Sequence, residues 1–333
     1  MSRILVTGGA GFIGSTYVRT VLEERPDDRI VVFDKLTYAG RKENLEDVWD
    51  AIDFVEGAIE DREAVRAAME GADLVVNFAA ESHVDRSIAD QDVFAITQVI
   101  GTGVLLDAVR ELGVSRFLQV STDEVYGSID EGTFTEDSPI APSSPYSATK
   151  AGGDLLVQAH VHTHKIEAVI ARGSNNYGPR QYPEKLIPLM ILNALQNDPL
   201  PVYGDGRNVR NWIHAEDFAR AIDTVLQKGE PGHVYNAGGP DELENLDVVR
   251  RILEMTGRDE SLIRFVDDRK GHDRRYSLSS DKVRGLGWEP KWRFEEGLPA
   301  TVEWYRNNEW WWKPIRSGEY REYYERHYGT ALG

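Results

Sequence analysis

The chain has 333 residues, 41% of them hydrophobic, and a net charge of −18. This length fits a large nucleotide-binding domain with a second lobe and allows a sizeable core. The negative charge argues against nucleic acid as a general partner, because phosphate backbones are bound by basic faces. The chain has no cysteine, which excludes disulfides and thiolate metal sites.

The amino-terminal residues run directly into an apolar segment at 3–9, without the pattern of a signal peptide. No stretch approaches the ~20 apolar residues of a membrane span. We therefore expect a cytoplasmic protein with no membrane partner.

Apolar, strand-like runs alternate with helical patterns through the first half of the chain. The runs cover 3–9, 29–34, 52–58, 73–80, 116–122 and 167–175, and the helical patterns cover 12–25, 61–70, 92–112 and 147–164. Near-continuous apolar strands separated by helices are typical of a parallel sheet covered on both faces. We predict an α/β fold with a doubly wound parallel sheet of the Rossmann type.

The composition changes after residue 176, where proline and glycine become frequent. A strand-like segment at 233–239 and a helical one at 246–256 follow. We predict a dinucleotide-binding domain over 1–176 and a smaller, mixed α/β substrate lobe over 177–333. The lobe is expected to be discontinuous, with return segments to the first domain around 210–240. The tryptophan-rich tail at 301–315 is either a helix packed on the lobe, which we favour, or an exposed partner-binding patch.

The first strand is followed by "GGAGFIG", which places Gly9, Gly11 and Gly14 in the spacing G-x-G-x-x-G. Glycines there allow a tight turn and close approach to a pyrophosphate, and the next helix offers its N-terminal N–H groups. The second strand ends at Asp34, whose carboxylate suits the adenosine ribose hydroxyls and repels a 2′-phosphate. The sequence therefore favours NAD over NADP.

The segment "SPYSATK" places Tyr146 and Lys150 on one face of a helix, with Ser143 or Ser144 as its cap. A tyrosine is a poor base at its ordinary pKa near ~10, but a neighbouring ammonium favours the phenolate. An oxidised nicotinamide adds a second positive charge. We predict that Tyr146 removes a proton from a substrate hydroxyl.

Asp123 and Glu124 stand side by side after an apolar strand, in "STDEVYG". Open α/β sheets place ligands at the carboxyl ends of their strands. Mutual repulsion and burial separate the pKa values of neighbouring carboxyls, so one can serve as an acid and the other as a base.

Together, "TGGAGFIGS", "STDEVYG" and "YSATK" resemble the extended short-chain dehydrogenase/reductase superfamily. Within it, the chain is similar over nearly its whole length to the family of dTDP-glucose 4,6-dehydratases, which are NAD-dependent hydro-lyases of deoxysugar biosynthesis, rhamnose included. The stretches that carry this likeness lie at 33–40, 77–87, 172–188, 200–222, 268–282 and 286–298.

The resemblance implies a cycle in which dTDP-glucose is oxidised at C4, loses water across C5 and C6, and receives the hydride back at C6 while C5 is reprotonated. The product is dTDP-4-keto-6-deoxyglucose, and the tightly bound NAD ends each turnover oxidised. Thr122 is expected to hydrogen-bond the C4 hydroxyl that Tyr146 deprotonates. Glu124 is expected to remove the C5 proton, and protonated Asp123 to protonate the leaving hydroxyl at C6.

The resemblance also implies the binding residues. For the cofactor they are Gly8, Gly11, Phe12, Ile13, Gly14, Asp34, Lys35, Leu36, Thr37, Ala58, Ile59, Phe78, Ala79, Ala80, Ser82, Thr97, Tyr146, Lys150 and Asn176. For the sugar nucleotide they are Ser82, His83, Thr122, Asn175, Lys185, Leu186, Pro201, Val202, Tyr203, Arg210, Asn245, His272, Arg274, Arg275 and Tyr276.

Several of these positions leave alternatives open. Lys185, Arg210, Arg274 and Arg275 are cations for a diphosphate, although any single arginine could form a surface salt bridge. His83 either orients a phosphate or sugar or satisfies a local hydrogen bond. The family's adenine-binding aspartate is replaced by Ala58, so either a backbone group or Glu60 or Asp61 takes over that contact.

In "HVHTH", His160 and His164 could share one helical face, but no third ligand is nearby, and we predict no metal site. The resemblance implies a homodimer formed through helices 92–112 and 147–164.

Two other classes of function compete with this interpretation. The first is a sibling enzyme, either a 4,6-dehydratase of UDP-glucose or another nucleotide hexose, or a 4-epimerase, which needs no acid and base to expel water. The second is a catalytically silent Rossmann protein that acts as a redox sensor or scaffold. The complete set of Thr122, Asp123, Glu124, Tyr146 and Lys150 argues against the silent protein.

Overall fold

The computed structural model describes residues 1–268 and 271–317, together with Tyr324, Tyr328 and Gly329. The strands are β1 (Arg3–Thr7), β2 (Arg29–Asp34), β3 (Ile52–Glu56), β4 (Leu74–Asn77), β5 (Arg116–Thr122), β6 (Ala168–Gly173), β7 (Asn175–Tyr177), β8 (Leu200–Tyr203), β9 (Val209–His214), β10 (Val234–Ala237), β11 (Asp241–Glu244) and β12 (Ile263–Val266). The helices are α1 (Phe12–Glu24), α2 (Arg62–Met69), α3 (Val84–Ala89), α4 (Asp92–Ala95), α5 (Thr102–Leu112), α6 (Pro145–His164), α7 (Leu186–Gln196), α8 (Ala215–Lys228), α9 (Asn245–Thr256), α10 (Asp281–Arg284), α11 (Phe294–Asn307) and α12 (Glu309–Ile315). A π-helical turn, Ile96–Gly101, joins α4 to α5, and 3₁₀ turns cover Lys42–Ala51, Asp123–Tyr126 and Glu260–Leu262.

The main sheet has the strand order β10-β6-β5-β4-β1-β2-β3, and all its neighbouring strands pair in parallel. Its central strands are mostly apolar because both faces are covered: Ile4 and Val6 pack into one core, and Leu5 packs into the core on the opposite face. The predicted Rossmann-type sheet is confirmed. The strand order reverses between β1 and β4, and such a reversal opens a crevice at the carboxyl ends of the two strands.

The second lobe is built from two small sheets and four helices. Its sheets have the orders β11-β9-β7 and β12-β8. Its core gathers apolar side chains of α7, α9, α11 and α12. β10 belongs to the main sheet, although it lies far along the chain. This pairing supports the return segments around 210–240, and the division at residue 176 stays a prediction.

The continuous helical run at 92–112 differs from the sequence prediction in one respect. By length and composition alone it passes as a helix that could cross a membrane, whereas the sequence analysis found no such stretch. Half of its most apolar window is buried inside the protein, as in the core helix of a globular domain. Among the described residues, this is the one helix with that length and composition.

The carboxyl-terminal helix α12 reaches back to the glycine turn that follows β1. Trp311 is 1% exposed, and its indole N–H donates to Asn44 Oδ1 at 2.8 Å. The amide of Asn44 in turn donates to the carbonyl of Ala10 at 2.8 Å. The tryptophan-rich tail therefore packs inward at Trp311 and Trp312, whereas Trp310 is half exposed.

Candidate active site

A cleft of about 300 Å³ lies at the carboxyl ends of the main-sheet strands. All five predicted catalytic residues line it, namely Thr122, Asp123, Glu124, Tyr146 and Lys150. The predicted cofactor residues that line it with them are Gly8, Gly11, Phe12, Ile13, Gly14, Asp34, Lys35, Thr37, Ile59, Phe78, Ala79, Ala80, Ser82, Thr97 and Asn176. Leu36 and Ala58 do not line it. The fold thus brings the two sets of residues to one place.

The glycine turn is shaped for close approach of a ligand to the backbone. Gly8 has a φ of +67°, and a Cβ there would lie 2.5 Å from the backbone nitrogen of Ala79. A Cβ on Gly14 would lie 2.3 Å from the carbonyl oxygen of Gly8. Gly11 is the residue before α1 and has no side chain, so the N–H groups of the first helical turn face the cleft. The turn therefore fits the pyrophosphate of a dinucleotide.

Asp34 lies at the end of β2 and is held by backbone N–H groups. Its Oδ2 accepts from Ala10 at 2.9 Å, and its Oδ1 accepts from Leu36 at 2.8 Å. Burial raises the pKa of this carboxyl, and the two hydrogen bonds oppose that rise. Leu36 adopts a φ of 54°, which turns its N–H towards Asp34 and its side chain away from the cleft.

Thr122 ends β5 and caps the 3₁₀ turn that carries both carboxyls. Its hydroxyl accepts from the backbone N–H of Glu124 at 3.2 Å and donates to Asp123 Oδ1 at 3.2 Å. Asp123 is 2% exposed, and its Oδ2 has no hydrogen-bond partner among the described residues. Burial, followed by the negative charge of Glu124, raises the pKa of Asp123 to about 8. Asp123 is therefore protonated at neutral pH, as an acid for a leaving hydroxyl requires.

Tyr146 and Lys150 lie on the first turns of α6, which Ser144 and Ser147 close with a reciprocal capping box. The Lys150 ammonium donates to the carbonyl of Val120 at 2.6 Å, and burial lowers its pKa to about 8. Burial and the charges of Glu124 and Asp123 raise the pKa of Tyr146, and a hydrogen bond with Thr122 lowers it. Burial and the carboxyls thus favour the phenol form of Tyr146, against the effect that the Lys150 ammonium is expected to have.

Comparison with known proteins supports the same chemistry. A family model described as GDP-mannose 4,6-dehydratase matches residues 5–301. The chain belongs to this family of dehydratases. It is 55% identical to the low-salt glycan biosynthesis protein Agl12 of Haloferax volcanii, over 91% of this chain and 98% of that protein. It is 49% identical to the dTDP-glucose 4,6-dehydratase of Streptomyces niveus, over 95% of this chain and 96% of the relative.

A solved structure shares the fold of this dehydratase. DesIV, a dTDP-glucose 4,6-dehydratase of Streptomyces venezuelae, was crystallised with NAD and dTDP bound. It superposes with a TM-score of 0.92 at 50% identity, covering 94% of this chain and 99% of that chain.

The predicted sugar-nucleotide residues are divided between the cleft and the second lobe. Ser82, Thr122, Asn175 and Lys185 line the cleft, and Lys185 donates to the carbonyl of Ser82. The others lie outside its lining: His83, Leu186, Pro201, Val202, Tyr203, Arg210, Asn245, His272, Arg274, Arg275 and Tyr276. Their roles stay predictions.

Two of the proposed diphosphate cations form exposed ion pairs in this dehydratase. Arg274 donates to both carboxylate oxygens of Asp205, at 2.8 and 3.2 Å. Arg275 contacts Glu242 at 2.9 Å. For both arginines the structure shows the salt bridge that stands as the alternative to diphosphate binding.

Arg210 and Tyr276 face the catalytic carboxyls from the second lobe. The guanidinium of Arg210 stacks 4.4 Å from the centre of the Tyr276 ring and donates to the carbonyl of Asp273 at 2.9 Å. Its positive charge lowers the pKa of Asp123, against the larger effect of burial. Both side chains are buried.

His83 and His272 each lie near a carboxylate. His83 is buried before α3, with Nδ1 3.9 Å from Asp85 Oδ2, and His272 Nδ1 lies 2.5 Å from Asp268 Oδ1. Among the described residues, no cluster of three or more His, Asp or Glu side chains is arranged to hold a metal.

The surroundings of Glu60 and Asp61 distinguish these two candidates for the adenine contact that Ala58 cannot make. Asp61 is committed to capping α2, where it accepts from the backbone N–H groups of Glu63 and Ala64. Glu60 lines the cleft and pairs with Lys35 at 2.5 Å. Of the two acidic candidates, Glu60 is therefore the one placed to contact a ligand.

Sequence reasoning missed several lining residues of the dehydratase cleft. They include Tyr38, Gly40, Glu81, Gly173, Ser174, Gln181, Tyr182 and Phe218. Gly40 carried a signal, because it lies in the loop after the predicted ribose aspartate, and a Cβ there would lie 2.5 Å from Asp34 Oδ1. Phe218 comes from α8, within the predicted return segment around 210–240, but no motif singled out this side chain as a lining residue.

Proposed function

We propose that this protein is an NAD-dependent hydro-lyase that converts dTDP-glucose to dTDP-4-keto-6-deoxyglucose. The observation that carries the proposal is the meeting of Asp123 and Glu124 with Tyr146 and Lys150 in the cleft of the glycine turn. The close likeness to named dTDP-glucose 4,6-dehydratases over nearly the whole chain supports the same substrate.

The glycine turn, Asp34 and Lys150 would hold the cofactor, and the crowding around Gly8 and Gly14 fits a pyrophosphate against bare backbone. When bound, NAD supplies the hydride acceptor at C4 and the hydride donor at C6. The Asp34 carboxylate suits the ribose hydroxyls of NAD and disfavours the phosphate of NADP.

The first step is removal of the proton from the C4 hydroxyl. Tyr146 receives that proton, and Thr122 holds the same hydroxyl by a hydrogen bond. Burial and the charge of Glu124 favour the phenol, so the positive charges of the Lys150 ammonium and of a bound oxidised nicotinamide would stabilise the phenolate that accepts this proton. The Val120 carbonyl fixes Lys150 from behind.

The second step is loss of water across C5 and C6. Glu124 removes the C5 proton, which the new C4 carbonyl has made acidic. Asp123 donates its proton to the hydroxyl that leaves C6, and its pKa of about 8 keeps that proton available at neutral pH. An acid on one carbon and a base on the next explain why the two carboxyls are adjacent.

Epimerisation at C4 is the competing activity on the same fold. It requires the tyrosine and the lysine but no acid for a leaving hydroxyl. The buried, protonated Asp123 beside Glu124 is unexplained by epimerisation and is required for elimination. The choice between a thymine and a uracil nucleotide is a separate question. The two bases differ by one methyl group, which contributes roughly 1–3 kcal/mol to binding in an apolar pocket.

The test is turnover of dTDP-glucose, UDP-glucose and a GDP-hexose by the purified protein, with formation of a 4-keto-6-deoxy sugar followed by its absorbance in base. We expect keto product from dTDP-glucose, with a higher kcat/KM than from UDP-glucose. A C4 epimer as product would identify an epimerase, and no reaction with any of the three would refute the enzyme assignment.

We also propose a cytoplasmic homodimer formed through helices 92–112 and α6. Both helices expose large apolar side chains: Ile96 is 42% exposed, Ile100 is 56% and Leu155 is 53%. Ile88 on α3 and Val93 on α4 are also exposed apolar side chains. Large apolar patches on a protein surface commonly mark the site where another protein binds and buries them. The interface would brace α6, the helix that carries Tyr146.

A further inference from the structure

The helix that carries the predicted catalytic pair also carries a buried acid. Tyr146, Lys150 and Asp154 are spaced four residues apart on α6 and therefore follow one face of the helix. Asp154 is 0% exposed and Lys150 is 5% exposed. Asp154 does not line the cleft, so it does not touch a substrate there.

The Asp154 carboxylate is held from two strands of the main sheet. Its Oδ2 accepts from the Ser121 hydroxyl on β5 at 2.9 Å and from Arg172 Nε on β6 at 2.9 Å. Its Oδ1 is buried and has no hydrogen-bond partner among the described residues. Ser121 directly precedes Thr122, so this one carboxylate ties α6 to the end of β5.

Arg172 is itself buried and fixed. It is 1% exposed, and its guanidinium lies 4.8 Å from the centre of the Tyr126 ring. The Tyr126 hydroxyl donates to Asn236 at 2.9 Å. A buried ion pair of this kind costs desolvation and is weak as a source of stability alone, which points to another reason for its place behind the site.

The charges around Lys150 show what that reason is. Asp154 lies four residues after Lys150 on α6, outside the cleft lining, and its negative charge counteracts the lowering of the Lys150 pKa by burial. The positive charge of Arg172, on β6, lowers the pKa of Asp154. Asp123 and Glu124 face Tyr146 from the 3₁₀ turn after β5, and the charge of Asp154 adds a smaller effect that also raises the pKa of Tyr146.

We propose that Asp154 is a positioning residue whose carboxylate, held by Ser121 and Arg172, keeps Lys150 charged beside Tyr146 during C4 oxidation. This inference rests on the proposed function. Asp154 acts through Lys150. Arg172 limits the effect of the Asp154 charge on Lys150, because Arg172 and Ser121 both donate to the same Asp154 oxygen.

The test compares the pH dependence of C4 oxidation in wild-type protein and in Asp154→Asn. The rate is the first rise in reduced-nicotinamide absorbance in a single turnover of dTDP-glucose, a step that does not use the acid Asp123. Asparagine keeps the shape and can still accept from Ser121, but it removes the negative charge. We expect the alkaline limb of the profile to move to lower pH by roughly 1–3 units, the usual effect of an opposite charge at close range.

Arg172→Gln removes the positive partner of the Asp154–Arg172 ion pair, where Asp154→Asn removes the negative one. Removing the competing positive charge should move the alkaline limb to higher pH, whereas Arg172→Lys, which keeps the charge, should leave the limb in place. The bound NAD content and the KM for dTDP-glucose should be unchanged in all three variants, because neither residue lines the cleft.

Asp217→Asn is the matched control. Asp217 is also fully buried and pairs with an arginine, Arg220, but it lies on α8 and anchors Lys291 and Trp292 through their backbone N–H groups. Its loss should lower thermal stability without moving the limb.

A uniform fall in rate with an unmoved limb in Asp154→Asn would reduce Asp154 to a structural role and overturn the inference. Shifts of the same sign in Asp154→Asn and Arg172→Gln would overturn it too, and the second variant decides the matter if the first does not fold. A wild-type protein that oxidises none of the sugars would overturn the proposed function, and this inference with it.

Discussion

At Asp123 a single side chain is subject to two opposing influences. Burial and the neighbouring charge of Glu124 favour its neutral form, while Arg210 and the Thr122 hydroxyl favour the carboxylate. Burial is the larger effect, and the pKa rises to about 8. The residue therefore keeps a proton that an ordinary aspartate would lose near pH 4.

The pH dependence of water loss follows from this protonation. Above pH 8 the neutral fraction of Asp123 declines, so elimination should slow as the pH rises. In a single turnover this appears as a slower decay of the reduced-nicotinamide absorbance after its first rise. Asp123→Asn should slow that decay by roughly 10²–10⁴-fold, as loss of a general acid commonly does, and remove its alkaline limb. Decay that is pH-independent in the wild-type protein would mean that another group is the acid.

Glu124→Gln should separate the two steps. C4 oxidation should persist because Tyr146 and Lys150 are intact, whereas exchange of the C5 hydrogen with solvent deuterium should stop. Mass spectrometry of recovered sugar nucleotide measures the exchange. Glu216→Gln is the control, because Glu216 accepts from the Trp292 indole at 2.9 Å and lies outside the cleft. Exchange at the wild-type rate in Glu124→Gln would show that Glu124 is not the base.

Tyr146→Phe should abolish C4 oxidation, so that reduced nicotinamide never accumulates after dTDP-glucose is added. The phenolate of Tyr146 is the group that receives the hydroxyl proton, and phenylalanine keeps the ring but not the acceptor oxygen. Tyr17→Phe offers a comparison, since Tyr17 is a buried tyrosine whose hydroxyl donates to Asp223 outside the cleft. Undiminished turnover of Tyr146→Phe would contradict the assignment.

At the scale of elements, the turn between β1 and α1 depends on the absence of side chains. Gly8→Ala should lose bound NAD and destabilise the protein, because its Cβ would meet the backbone of Ala79. Gly113→Ala is a close match: it has nearly the same φ, +68°, with nothing within 4 Å of the added Cβ. It should cost about 1–2 kcal/mol for the left-handed backbone and leave the NAD content unchanged. Equal NAD loss in both variants would mean that backbone strain, and not crowding, is responsible.

The helices and strands of the first half could be predicted closely because local pattern determines them. β2 and β5 match their apolar runs, and α6 begins at Pro145, just before the predicted start, because Ser144 caps it. Arg274 and Arg275 show the limit of such reasoning. Sequence shows that they are charged, but their partners Asp205 and Glu242 are distant along the chain and are brought to them only by the fold.

At the scale of the whole molecule, the apolar surface of the helical run 92–112 and α6 predicts the assembly. The double variant Ile100→Asp/Leu155→Asp should sediment as a monomer, since each charge would be buried without a partner in the interface. Phe265→Asp changes an equally exposed side chain, 58% exposed on β12, and should leave the dimer intact. A wild-type protein that sediments as a monomer would refute the homodimer.

The contact of Trp311 with Asn44 joins residues 267 positions apart. No local pattern predicts this contact. The tryptophan-rich tail was expected to pack on the second lobe, and Trp311 and Trp312 do pack into its core. During synthesis the glycine turn emerges early, yet the hydrogen bond that secures Asn44, and through it Ala10, forms only when the last helix has been made. This contact is therefore added to the dinucleotide turn only at the end of translation, and proteolytic trimming before Trp311 would remove it, while Ala10 would keep its backbone hydrogen bond from Arg41.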